Sequence, residues 1–248
     1  MGHNGKINLI LCEGETDRDL LGYYLIRVSG WQWKRLKEPP FSEQCIGWYQ
    51  RGSDDIMGIW PVGGDDFTAA IMKVMKRENM EHSVGKLVIV TDHDDEDAEK
   101  SRLEKIRGAI LKNLQNAYFG EENTSDWLKI VFNNSFGQFS MDFCYVLVPY
   151  NEMGALETFM LNALSEKDEG RKDVIVRAKK FVEDLSSDSR IGENYLKARR
   201  DRIKAGLGVS VAIFSPDRVF TTMNELIESV SWENFDASHQ QFQILKEI

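Results

Sequence analysis

The sequence has only three cysteines, Cys12, Cys45 and Cys144. Their odd number and wide spacing exclude a disulfide framework and match no zinc pattern. Cys12 and Cys144 fall in apolar, strand-like runs and read as buried thiols, which suits a reducing cytoplasm. Long apolar runs are also missing. None reaches the length of a membrane span, and the first residues carry no signal-peptide h-region, so no membrane partner is expected. There is no internal repeat and no low-complexity tract. Positive charge is in deficit, with a formal net charge of −9. That argues against a protein that coats polyanions generically. It leaves nucleic acid open as a substrate, because a metal-dependent site is acidic and the cation reverses the local sign.

What is present is ordinary for a globular chain. The 248 residues, 42% hydrophobic and 29% charged, suffice for one large domain or two small ones with a real core. The most informative stretch is Lys86–Asp97, KLVIVTDHDDED. Leu87–Val90 is apolar, mostly β-branched and too short for a helix, so it reads as a buried parallel strand. It runs into Asp92, Asp94, Asp95, Glu96 and Asp97. In an open α/β sheet, ligands bind at the carboxyl ends of strands. Crowded carboxylates repel, and a hard divalent cation relieves them. The plainer reading is an acidic loop capping the next helix.

A second junction repeats the pattern. Lys6–Cys12 reads as a strand that stops at Glu13-Gly14, and Leu20, Leu21, Tyr24, Leu25 and Val28 then recur at helical spacing. Thr16 or Asp17 is positioned to cap that helix. Gly30–Ser53 reads as a loop or hairpin whose Trp31, Trp33, Trp48 and Tyr49 either stack on bases or close a local core. Ile56–Val62 is the next strand, with Pro61 at its end. Gly63-Gly64 then precedes a helix through Phe67–Met75, a placement that can present backbone N–H groups to a phosphate or merely make the turn. A charged helix follows at about 98–114, then strands at Leu128–Phe132 and Phe143–Val148. The alternation predicts an α/β unit over residues 1–150, a mostly parallel sheet flanked by helices.

A mainly helical extension is expected over 151–248. Glu157 lies near the start of a helix through Leu156–Ala163, where the helix dipole alone would accommodate it. Lys167–Leu185 and Gly192–Leu207 are charge-rich helix patterns, Val209–Phe214 a short strand or buried turn, and Thr222–Val230 and His239–Ile248 closing helices. Most of the basic residues are interleaved with acids and read as solvated faces. Lys197 and Lys204 stand as candidates for contacting a phosphate.

Glu-Gly-x-x-Asp at Glu13–Asp17 after one strand, Gly63-Gly64 after a middle strand, and Asp-x-Asp at Asp92 and Asp94 after a later one together resemble the Toprim domain. That domain is shared by type IA and type II topoisomerases, bacterial primases, OLD-family nucleases and recombination-repair proteins. The resemblance covers about Lys6–Pro149. Tyr150–Leu161 is similar to the segment after the Toprim core in OLD-type proteins and in a small standalone Toprim-like family. The resemblance implies a Mg²⁺-dependent (or Mn²⁺-dependent) nuclease acting on DNA or RNA. By it, Asp92 and Asp94 are metal ligands, Glu13 is a ligand or the general acid/base, and Glu157 is a further ligand; Asp97 is an additional ligand or only a helix cap. Lys197 or Lys204 approaches the scissile phosphate, and Gly63, Gly64, Asp17 and Asn151 are substrate- or phosphate-binding positions. No GxxxxGK[ST] loop occurs, so a full-length OLD protein is excluded. The alternative is a Toprim-fold module that binds a nucleotide or nucleic acid without turnover. A homodimer or a partner ATPase is compatible with either. A phosphotransferase of the haloacid-dehalogenase kind fits poorly, because its Asp-x-Asp should follow the first strand, which here ends in Glu13.

Overall fold

The computed structural model describes residues 7–78, 84–93, 95–120, 127–134, 137–166, 168–216 and 222–248. The chain divides into two compact units. The first comprises Met1–Thr91, Asp95–Leu147 and Ile244–Ile248; the second comprises Asp92–Asp94 and Val148–Gln243.

The first unit is built on β1 (Ile7–Cys12), β2 (Gln32–Trp33), β3 (Gly47–Arg51), β4 (Asp55–Pro61), β5 (Val84–Asp92), β6 (Gln115–Phe119), β7 (Leu128–Asn134) and β8 (Gly137–Val148). They form one sheet in the order β2-β3-β4-β1-β5-β8-β7-β6. Its helices are α1 (Glu15–Ser29), α2 (Thr68–Glu78) and α3 (Glu96–Asn113). β1 lies between β4 and β5 and pairs parallel with both, Cys12 standing opposite Pro61 on one side and Val90 on the other. A strand flanked on both sides and covered on both faces must be apolar along its whole length, and Ile-Asn-Leu-Ile-Leu-Cys nearly is. Leu9, Leu11, Leu87 and Ile89 point into one core with Ile71 and Met75 of α2 and Ile106 and Ile110 of α3. Ile10 and Val88 alternate to the opposite face. α1 ends at Gly30, whose φ of +70° is the left-handed turn that glycine adopts without penalty.

The expected mostly parallel sheet holds at this centre only. β3 runs antiparallel to β4, and β7 antiparallel to both β6 and β8. The aromatic insertion supplies β2 and β3, a hairpin laid on the edge of β4. Trp31, Trp48 and Tyr49 are buried there and close a local core, while Trp33 is exposed. β6 carries no apolar run because it is an edge strand with exposed residues.

The second unit is helical: α4 (Leu156–Ser165), α5 (Glu169–Ser186), α6 (Ser189–Tyr195), α7 (Arg199–Phe214), α8 (Met223–Ser229) and α9 (Asp236–Phe242). α4 is buried on nearly every side, Leu156, Phe159, Met160, Leu161, Ala163 and Leu164 together with Glu157 and Thr158. Phe159 packs edge-on against Phe242, and Trp232 is fully buried with its indole N–H donated to the Ile227 carbonyl at 2.9 Å. The single helix expected over Gly192–Leu207 is two, α6 and α7, interrupted at 196–198. Val209–Phe214 is neither strand nor buried turn but the last turn and a half of α7. Its β-branched residues cost a helix only tenths of a kcal/mol each, roughly, so context overrides them. The closing helix of His239–Ile248 begins earlier, at Asp236, and tightens to 3₁₀ from Gln243.

Candidate functional site

Glu13 is the first residue past the end of β1. Its position is set by the backbone. The Val62 N–H donates to the Cys12 carbonyl at 2.8 Å, and the N–H groups of Gly63 and Gly64 both donate to the Glu13 carbonyl at 3.0 Å. The loop after β4 is thereby tied across the end of β1. Both glycines have positive φ, +86° and +139°, so the turn requires them. Of the two roles the sequence leaves open for this pair, the turn is the one these bonds describe: both amides are directed at a protein carbonyl. Asp17 is likewise engaged locally. Its carboxylate accepts the Gly14 N–H at 2.9 Å, so Gly14, not Thr16 or Asp17, occupies the N-cap position of α1. Cys12, just before Glu13, is fully buried, and burial pushes its thiol well up. A thiol held protonated is no nucleophile.

The Glu13 side chain is 6% exposed, and its Oε1 accepts the Thr91 hydroxyl at 2.6 Å. Thr91 Oγ1 in turn accepts Arg102 Nη1 at 2.7 Å. Thr91 and Arg102 are 2% and 7% exposed, so the chain of three is buried throughout. Arg102 comes from α3, where it shares the apolar face of Ile106, Ala109 and Ile110. Asp65 Oδ2 stands 3.9 Å from Arg102 Nη2. The guanidinium and Asp65 help line a cavity of about 350 Å³ beside α3, with Thr68, Ser101 and Lys105. Sequence reasoning missed Arg102. Its signal was available: a cation in phase with the apolar stripe of a helix.

In the second unit Asp92 Oδ1 accepts the Leu156 N–H at 3.3 Å, at the start of α4. Glu157 follows in the same first turn and is 8% exposed. Both carboxylates thus meet the positive end of a helix dipole. Lys204 of α7 reaches Glu157, Nζ to Oε1 at 3.9 Å. The structure therefore brings Lys204 and Glu157 together. Lys197 is exposed on the α6–α7 connection, where its carbonyl accepts Arg202 Nη1 at 3.1 Å. Asn151 and Asp97 are exposed. Asp95 is the N-cap of α3, accepting the N–H groups of Asp97 and Ala98, so Asp97 is a first-turn acid and not the cap. Asp94 lies outside the described residues.

Among the described residues, no three His, Cys, Asp or Glu side chains come together as a cation site. A carboxylate oxygen is the type of ligand that a hard divalent cation takes, and the buried Glu13 carboxylate is held in one orientation by a hydroxyl donor.

Comparison with known proteins places this chain as follows. A family model described as "Protein of unknown function (DUF3226)" matches residues 7–247. No curated protein sequence matches. The structure is similar to that of the hypothetical protein PH0156 from Pyrococcus horikoshii OT3, at 14% identity and a TM-score of 0.45, over 90% of this chain and 95% of that one. It also matches a glyoxalase/bleomycin resistance protein/dioxygenase family enzyme from Burkholderia phytofirmans PsJN, at 15% identity and a TM-score of 0.19, over 56% of this chain and 96% of that one.

Proposed function

We propose a function for a chain that belongs to the DUF3226 family of proteins of unknown function: it is a Mg²⁺-dependent nuclease of Toprim type. The observation that carries this reading is Glu13. It sits at the carboxyl end of a central parallel strand, buried, with its carboxylate bonded to Thr91 near the end of the neighbouring strand. The next residue of that strand is Asp92, and Asp94 follows in the sequence. Open α/β sheets bind ligands at the carboxyl ends of their strands, and Glu13 stands at such an end.

On this reading Glu13 of the first unit would be a ligand of Mg²⁺ or Mn²⁺, and the Toprim resemblance assigns the same role to Asp92, Asp94 and Glu157. The cation would supply polarisation of a phosphoryl oxygen and a lowered pKa for a bound water. The protein's own residues do the rest. Thr91 orients Glu13, the α4 N-terminus orients Asp92, and Lys204, half-exposed beside Glu157, meets the negative charge that builds on the phosphate. In the reaction, a water oxygen bonds to phosphorus as the P–O ester bond breaks, leaving a phosphomonoester and an alcohol. Nucleic acid, DNA or RNA, is the substrate class.

The test is cleavage of single- and double-stranded DNA and RNA, linear and supercoiled, in Mg²⁺, Mn²⁺ or EDTA. Wild-type protein is compared with Glu13→Gln and Asp94→Asn. Metal-dependent cutting that both variants lose is the expected result. No cutting of any substrate refutes the nuclease, and metal-dependent binding without cutting makes the chain a binding module.

A further inference from the structure

The Glu13–Thr91–Arg102 chain is more than a set of satisfied polar groups, because its direction is forced. An arginine has five N–H donors and no acceptor, and stays charged. Arg102 Nη1 can therefore only donate to Thr91 Oγ1. The Thr91 hydroxyl has one proton, and with Arg102 donating to its oxygen that proton is directed to Glu13 Oε1. Glu13 Oε1 is thus a hydrogen-bond acceptor, fixed in place from a helix on another part of the sheet. The 2.6 Å oxygen–oxygen separation lies in the range of charge-assisted bonds to a carboxylate.

The alternative is that these groups serve packing alone. Burying a guanidinium is costly, and well-packed apolar residues in its place are often neutral or stabilising. At Arg102 the surrounding face of α3 is apolar, Ile106, Ala109 and Ile110, so a methionine would suit packing at least as well. Asp65 lies 3.9 Å from the guanidinium and is 76% exposed at its side chain. The hydrogen bond from Arg102 to Thr91, and the one from Thr91 to Glu13, connect the buried guanidinium to a carboxylate.

We infer that Arg102, acting through Thr91, is a positioning residue for the cation-binding carboxylate of Glu13. The inference rests on the proposed metal-dependent function. Partners that orient a ligand from behind set its basicity and its angle to the metal, and their loss typically weakens metal binding roughly ten- to a hundred-fold. Arg102 touches neither cation nor substrate in this assignment.

The experiment is titration calorimetry of the full chain with MgCl₂ and MnCl₂. The variants are Thr91→Val, which keeps shape and removes the hydroxyl, Thr91→Ser, which restores it, and Arg102→Met, which keeps the packing stem and removes the charge. Denaturation curves accompany each variant. The expected result is cation affinity roughly ten- to a hundred-fold weaker in Thr91→Val and Arg102→Met, with Thr91→Ser near wild type. If wild type binds and Arg102→Met binds equally well, the inference is overturned while the function stands. Unchanged affinity in a folded Thr91→Val has the same meaning. If wild type binds neither cation, the functional reading fails and the inference with it. Should Thr91→Val fail to fold, Arg102→Met and Thr91→Ser decide the question on their own.

Discussion

Gly22 of α1 faces Tyr49 of the edge hairpin, and alanine there should destabilise the protein although it favours a helix. A Cβ built on Gly22 would stand 2.0 Å from the Tyr49 hydroxyl oxygen and 2.7 Å from Tyr49 Cζ. The ring has little room to retreat. It is 6% exposed and packed in the interior. Glycine-to-alanine in a helix interior gains about 1 kcal/mol. Forcing a methyl into a packed site costs about 1–3 kcal/mol, and a 2.0 Å approach belongs at the upper end. The net expectation is a loss of roughly 2 kcal/mol, which lowers the melting temperature by roughly 4–8 °C in a chain of this size. Urea and thermal denaturation of Gly22→Ala measure it. Tyr49→Phe removes the clashing oxygen and leaves Cζ as the nearest atom, so the double variant should recover part of the loss, with a coupling energy of about 0.5–3 kcal/mol. A Gly22→Ala protein that is more stable than wild type, or that adds independently to Tyr49→Phe, refutes this packing.

Two further outcomes follow from other groups. Burial pushes the phenols of Tyr24 and Tyr49 up to about 12 from an ordinary 10. The unfolded chain therefore releases these protons above pH 10 while the folded chain retains them, so stability holds below pH 10 and falls as pH rises toward 12. Urea midpoints measured from pH 9 upward should show the fall, and Tyr49→Phe should make it shallower. In the helical unit, the Glu166 carboxylate accepts the N–H groups of Asp236 and Ala237 at 2.8 and 2.6 Å, capping α9 from some seventy residues away in sequence. Glu166→Ala should cost about 0.5–2 kcal/mol in denaturation, and Glu166→Gln, which keeps an acceptor oxygen, should cost less.

The centre of the sheet was legible because burial on both faces leaves its mark in composition. β1 and β5 are short and apolar, and their length and β-branched residues favour a strand over a helix. The flanks were not, for the opposite reason. β6 is a half-wet edge strand of Gln-Asn-Ala-Tyr-Phe, whose pairing with β7 supplies the order that its own residues do not. β8 starts six residues before its apolar stretch, because antiparallel pairing with β7 along Gly137–Phe143 carries polar residues into the strand. In α7, β-branched residues at 209–213 suggest a strand in isolation, and only packing of the preceding turns decides for helix.

The candidate site divides along the same line between local and tertiary information. The acids are legible because each stands next to a strand or helix end in sequence, and the chain itself carries them there. What orients them is not. Thr91 and Arg102 are eleven residues apart, on a strand and on the helix that follows it, and Thr91 meets Glu13 across seventy-eight residues. Two candidate lysines looked equivalent in a charge-rich stretch, yet one faces Glu157 from α7 and the other is exposed in the break before that helix. The break itself separates them, since an uninterrupted helix would have placed both by the same periodicity. Arg102 is the instructive case. It stands at i, with Ile106, Ala109 and Ile110 at i+4, i+7 and i+8, so its burial could have been read from spacing alone. A buried cation needs a reason, and the search for one leads through Thr91 to Glu13. A charge in phase with an apolar stripe is therefore the pattern that links a visible acid to its invisible support.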